Sequence, residues 1–258
     1  MPKTAFAVCA HPDDIEYFMA GTLLLLKDAG YEIHTMNISN GSYGSTVYDL
    51  KTITVIRREE ALKAAAVAGA VHHDSLTNDL EIFYEKKTLA KLSSIMREVS
   101  PEILLVHSPE DYMEDHTNAC RLAVSAAFCR GMPNYEVDPP REPTDQEVTV
   151  YHCQPHLNRT PLGKLVYPEI YVDISTVIEK KEEMLAQHKS QKEWLDKSQG
   201  LDSYLTAQKD FAGELGKMSG RYEFAEGWRK HLYVGFCGEH ADPLRESLRP
   251  LTFINESY

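Results

Sequence analysis

The chain has 258 residues, 43% hydrophobic and 26% charged, the proportions of an ordinary soluble globular protein with enough chain to bury its own core. Lys and Arg number 27 against 39 Asp and Glu, a net charge of −12 with no basic run, which argues against nucleic-acid binding by counterion release and against anionic membrane surfaces. The strongest apolar patch, Leu23 to Leu26, is far shorter than the roughly 18 residues a membrane-inserted helix needs.

Strands and helices alternate from the start. "TAFAVCA" (4–10) is a short, mostly apolar run, as expected of a strand covered on both faces, and it reads as a strand rather than a signal peptide because charge ends it at once. Residues 14–29 follow with apolar positions at helical spacing and Gly30 as C-terminal cap. "YEIHTMNIS" (31–39) is a second strand and the Gly/Ser-rich "NGSYGS" (40–45) a loop. Helices are expected at 54–68, 87–99 and 116–130, with a short strand near Val71 and a buried strand at 102–107. Residues 131–168 hold seven of the thirteen prolines and read as long loops with one strand, Val148 to Cys153. "EIYVDIS" (169–175) is a further strand and 176–199 a long charged helix, while the tail from Gly200 shows only a richness in Gly, Tyr and charge. The expectation is an α/β fold, a Rossmann-like, mostly parallel sheet with helices on both faces plus a C-terminal extension. The whole of 1–258 is taken as a single domain, with 1–130 as the core sheet and 131–258 completing the site. The cysteines are five in number and irregularly spaced, as for reduced thiols of a cytoplasmic protein.

Two motifs carry chemistry. "AHPDD" (10–14) falls where the first strand meets the first helix, at the edge of such a sheet where sites form. His11 and Asp14, three residues apart around a turn stiffened by Pro12, can converge on one point while Asp13 stays free. The competing reading is an Asp that merely caps the helix. "HSPEDYMEDHTNAC" (107–120) likewise follows a buried strand and opens a helix, with His116 crowded by Asp111, Glu114 and Asp115. Neighbouring strand ends would bring His116 to His11 and Asp14, and three ligands leave a coordination position open. The competing reading is an acidic first turn that favours the helix dipole beside a surface histidine.

With these residues the chain resembles the PIG-L/LmbE-like family of zinc-dependent N-deacetylases. The resemblance covers "AHPDD", "NGSYGS", "IRREEALKAAAVAGA" (56–70), "PEDYMEDH" (109–116), "KKEEMLAQHKSQ" (180–191) and "RYEFAEGW" (221–228). It implies His11, Asp14 and His116 as ligands of Zn2+ or another divalent cation, Asp13 as general base and Asp115 as the carboxylate orienting an imidazole. Arg57 matches an arginine that binds substrate; from its own position it reads equally as a helix-surface ion pair with Glu60. His188 matches a position of site architecture. The implied reaction removes an N-acetyl group from an N-acetylglucosamine-type sugar conjugate by attack of a metal-activated water. The implied partner is that small molecule, and homo-oligomers are permitted.

One position departs from the pattern. The family often has a histidine three residues before the third ligand, where this chain has Met113, which cannot donate a hydrogen bond. Tyr112, His152 and His156 are the candidate substitutes. The departure keeps open a metal-dependent deacylase acting on a non-sugar amide. A non-catalytic metal- or ligand-binding α/β protein is a further alternative, against which the intact His11, Asp13, Asp14 and His116 argue.

Overall fold

The computed structural model describes residues 3–192, 195 and 203–256. Eight strands form one sheet: β1 (Thr4–Cys9), β2 (Glu32–Asn37), β3 (Val71–His73), β4 (Ile103–Val106), β5 (Thr149–Cys153), β6 (Ile170–Asp173), β7 (Ala225–Lys230) and β8 (Thr252–Ile254). Their order is β3-β2-β1-β4-β5-β7-β6-β8. The first five pair in parallel, while β7 runs antiparallel between β5 and β6, and β8 antiparallel to β6. The expected α/β, mostly parallel sheet is therefore present, and its antiparallel part lies wholly in the C-terminal half.

The helices are α1 (Asp14–Phe18), α2 (Ala20–Asp28), α3 (Leu50–Ala68), α4 (Lys86–Val99), α5 (Glu114–Cys129), α6 (Ile178–Leu185), α7 (Ser203–Ser219) and α8 (Pro243–Ser247). Strand β1 shows why both faces are covered. Ala5, Ala7 and Cys9 pack with Phe18, Leu23, Leu26 and Phe211, whereas Phe6, Val8 and Ala10 pack on the other side with Leu92, Met96 and Leu122. Alternate residues thus feed two cores, and the strand is apolar throughout.

Three elements differ from the sequence expectation. The helix over 14–29 is broken at Met19 (φ −131°). The second piece begins beneath the carboxylate of Glu226 on β7, which accepts from the backbone N–H groups of Gly21 and Thr22, both at 2.8 Å. A buried carboxylate at that point satisfies N–H groups that a helix start leaves free, and it comes from about 200 residues away. The charged helix expected over 176–199 stops at Leu185; the chain turns through 186–188, is helical again at 189–192, and 193, 194 and 196–199 lie outside the described residues. The undifferentiated tail contains α7 and the internal strand β7.

Strand order changes direction between β1 and β4: β1 leads to β2 on one side and finds β4 on the other. In open parallel sheets the crevice at that switch, beyond the C-terminal strand ends, is where ligands bind. His11 follows β1 and His107 follows β4.

Candidate active site

The turn after β1 is tightly specified. Asn37 donates to the carbonyl of His11, and the backbone N–H of His11 donates to Oδ2 of Asp14 at 2.7 Å. Asp13 sits at φ +108° and makes no capping bond, so the helix-cap reading fails. Strain in a non-glycine residue at a strand–helix junction is a mark of a functional site.

His11, Asp14 and His116 each offer a ligand atom within 4.8 Å of the others. Nε2 of His116 lies 3.4 Å from Oδ1 of Asp14, and Nδ1 of His11 lies 3.4 Å from its Oδ2. The remaining nitrogen of each ring is held by a carboxylate: Nε2 of His11 by Asp115 at 2.9 Å, and Nδ1 of His116 by Asp111 at 3.0 Å. That arrangement fixes ring orientation and tautomer, as carboxylates behind metal-binding imidazoles do. Two imidazoles and a carboxylate form a donor set suited to zinc, leaving room for a further ligand. Burial alone would lower the pKa of His11, but its hydrogen bonds to Asp115 and Asp14 outweigh this and raise it to about 9. Burial likewise opposes protonation of His116, and the charge of Asp14 with the Asp111 hydrogen bond lifts it to about 10. Asp14 is held well below the usual carboxylate range, against its burial, chiefly by the charge of His116 and also by its hydrogen bond with His11. The cluster thus stabilises positive charge between these three groups.

Asp13 turns the other way. Its Oδ2 accepts from the Tyr204 hydroxyl at 2.5 Å and lies 3.5 Å from the Arg57 guanidinium. Burial raises its pKa, and Arg57 opposes the rise. Arg57 is buried on α3 and donates to the carbonyl of Pro12. It passes beneath Gly41 (φ +74°), where a Cβ would collide with its side chain. The surface ion pair with Glu60 does not form; Glu60 instead accepts from the backbone and hydroxyl of Ser190.

These groups line a cavity of about 910 Å³. One wall is aromatic: Tyr112 lies against His116 and His156, and Tyr17 against His156 and Phe211, with ring centroids 5.3–5.8 Å apart. Met113 also lines the cavity, as do Tyr112 and His156. His152 does not: it is buried behind the site, bonded to the carbonyl of His107 and to His231, which removes it as a substitute for the missing histidine. Glu114 faces solvent, so of the acidic cluster around His116 only Asp111 and Asp115 turn inward. His188 is fully buried, 3.2 Å from Glu16, outside the cavity lining.

Sequence reasoning missed two contributors. Tyr204 lies on α7, in the tail left unassigned, and no local motif marks it. His107 stacks on His116 at 4.1 Å with planes 9° apart, and its Nε2 accepts from the backbone N–H of Ala10. Burial and the neighbouring His116 lower its pKa, which keeps it an acceptor. Its place directly after a buried strand could have singled it out.

The family description PIG-L, GlcNAc-PI de-N-acetylase, matches residues 6–128. The chain is 30% identical over 187 residues to a 4-oxalmesaconate hydratase of Pseudomonas putida KT2440, covering 69% of this chain and 70% of that protein. It is 28% identical over 234 residues to a diacetylchitobiose deacetylase of Thermococcus kodakarensis, covering 88% and 82%. Among solved structures it resembles the 4-carboxy-2-hydroxymuconate hydratase from Pseudomonas putida KT2440, with TM-score 0.71, 26% identity and coverage of 88% and 95%.

Proposed function

The chain belongs to the PIG-L family, and from that premise we propose that it is a zinc-dependent N-deacetylase acting on an N-acetylglucosamine-type sugar conjugate. The observation that carries this reading is the convergence of His11, Asp14 and His116, each ring backed by a carboxylate, beside a carboxylate that is held apart from them. His11, Asp14 and His116 would hold the cation. When bound, it would supply Lewis acidity, acidifying water and polarising the acyl carbonyl.

The chain's own groups do the rest. Asp13 accepts the proton of the attacking water and returns it to the departing amine. Its raised pKa suits both steps. Tyr204 and Arg57 keep it aimed while Asp14 is occupied elsewhere. Tyr112 or His156, both in the lining, takes the place of the histidine absent at Met113. The aromatic wall suits the apolar face of a pyranose, and the carboxylates of Asp79, Asp210 and Glu214 suit its hydroxyl groups.

Hydration of an unsaturated acid is the second reading, favoured by the 30% identical hydratase. The lining weighs against it. Among the described lining residues Arg57 is the one Lys or Arg side chain, set against Asp13, Asp14, Asp79, Asp210 and Glu214. With Asp13 set against Arg57 and Asp14 against the cation, Asp79, Asp210 and Glu214 remain, and a carboxylated muconate would meet their repulsion whereas a neutral sugar would not. Purified protein loaded with zinc should release acetate from N-acetylated sugars and leave carboxylated dienes unchanged. The Asp13→Asn variant should keep its zinc and lose turnover; turnover retained in that variant would sink the assignment.

A further inference from the structure

A second cavity, of about 620 Å³, shares no lining residue with the candidate active site. Helix α7 serves both: Glu214 lines the first cavity, and Met218, one turn further on, lines the second. The sheet register places one wall. Tyr171 on β6 pairs with Phe253 on β8 and with Gly227 on β7, so these three share a face, and Arg229, two residues beyond Gly227, shares it too. The Tyr171 and Phe253 rings are stacked, with centroids 6.1 Å apart and planes 23° apart. Another wall is the turn over 159–165. There Arg159 bridges to Leu165 and the N–H of Thr160 donates to the carbonyl of Lys164 at 2.8 Å, and Gln154 anchors the turn through the carbonyl of Val166.

The charges in this lining are one-sided. Lys164 and Arg229 line it, and no Asp or Glu does, although the chain as a whole carries −12. Arg229 is partly buried, and its Nη2 donates to the Ser108 hydroxyl at 2.8 Å and to the carbonyl of Cys153 at 3.4 Å. Both acceptors are uncharged, and Nε is buried with no acceptor among the described residues. Neither Arg229 nor Lys164 forms an ion pair among the described residues, where other Lys and Arg side chains do. A guanidinium drawn out of water without a counter-charge costs free energy, and an anion beside it recovers that cost.

We infer that this second cavity is a binding site for a small aromatic carboxylate, with the carboxylate held by Arg229 and Lys164 and the ring against Tyr171 and Phe253. The volume is that of a small-molecule site, and an apolar lining with a few convergent polar groups is the usual composition of one. Arginine suits a carboxylate, and stacked aromatic side chains suit a flat ring. The lining offers no imidazole, thiol or carboxylate, so it is a place of binding and not of hydrolysis. It stands whichever reaction the first cavity performs.

Calorimetric titration of the zinc-loaded protein with benzoate and with benzamide, its uncharged counterpart, tests this without any turnover. Benzoate should bind one to one and at least about tenfold more tightly than benzamide, the margin of one charge-assisted hydrogen bond. Lys164→Gln, at an exposed position, should narrow the margin to about threefold, and Arg229→Gln should remove it. Phe253→Leu should weaken both ligands by about threefold or more and leave the margin as it was. If Arg229→Gln does not fold, Lys164→Gln and Phe253→Leu together decide. Stripping the zinc should leave the benzoate affinity unchanged, which distinguishes this site from a carboxylate bound at the cation of the first cavity. Equal binding of benzoate and benzamide by the parent overturns the inference. A margin that no charge substitution diminishes, or one that disappears with the zinc, overturns it as well, because the benzoate is then held elsewhere.

Discussion

The Tyr204 hydroxyl donates to Oδ2 of Asp13 at 2.5 Å, joining the first turn of the chain to a helix 191 residues later. Tyr204 is itself buried, and burial together with the charge of Asp13 keeps its hydroxyl protonated. It therefore positions the proposed base. Tyr204→Phe should lower kcat by roughly ten- to a hundredfold with KM changed less than about threefold, since misplacing a reacting group by an ångström has costs of that order. In an Asp13→Asn background the same substitution should cost nothing further. Equal costs in both backgrounds would mean that Tyr204 acts on packing and not through Asp13.

The carboxylates behind the two rings give a separate prediction. Asp111→Asn and Asp115→Asn should each weaken zinc binding by about 10–100-fold, the usual effect of removing a partner that orients a metal-binding imidazole. Competition against a chromophoric chelator measures it. Affinity unchanged in both variants would show that His11 and His116 are not held for a metal.

How much of this was legible follows from the range of each signal. His11, Asp13, Asp14 and His116 sit at strand ends that apolar runs mark locally, so their meeting at the crevice followed from strand adjacency alone. Glu226 shows the opposite case. It lies on β7, "AEGWRK", whose charged residues break the apolar run that would announce an internal strand. Its burial makes sense only once Gly21, Thr22 and Lys181 are placed around it. Tyr204 is hidden for the same reason: its partner is distant, and a tyrosine near a helix start carries no pattern. Arg57 had two readings of equal standing because a three-residue spacing to Glu60 permits an ion pair that the burial of Arg57 then forbids.

Acid should destabilise the fold through His152. Burial pushes its pKa down to about 4, and it sits as a neutral ring between the carbonyl of His107 and His231. The unfolded chain takes up this proton near pH 6.5, the folded one only near 4, so stability is intact above about 6.5 and falls as pH drops towards 4. Linkage puts the loss at up to about 3 kcal/mol. Urea unfolding at pH 7 and 4.5 should show His152→Gln losing roughly 2 kcal/mol less than the parent between the two conditions. Parallel losses would mean that other groups carry the acid sensitivity.

The pair formed by Lys181 and Glu226 should behave unlike an ordinary buried ion pair. The two meet at 2.5 Å, each 1% exposed, and Glu226 also caps α2 through Gly21 and Thr22. Lys181→Met leaves a buried carboxylate with two backbone donors, and its cost should lie near the lower end of the roughly 3–5 kcal/mol seen when one partner is removed. Glu226→Leu strands the ammonium and uncaps the helix together, so it should cost more. In the double variant the stranded charge disappears, which for a simple pair would restore most of the stability. Here the N–H groups of Gly21 and Thr22 remain buried without an acceptor, and a deficit of about 1–3 kcal/mol should persist. Thermal and urea unfolding of the three variants measures this. Full recovery in the double variant would show that the cap contributes nothing and that the break at Met19 has another cause.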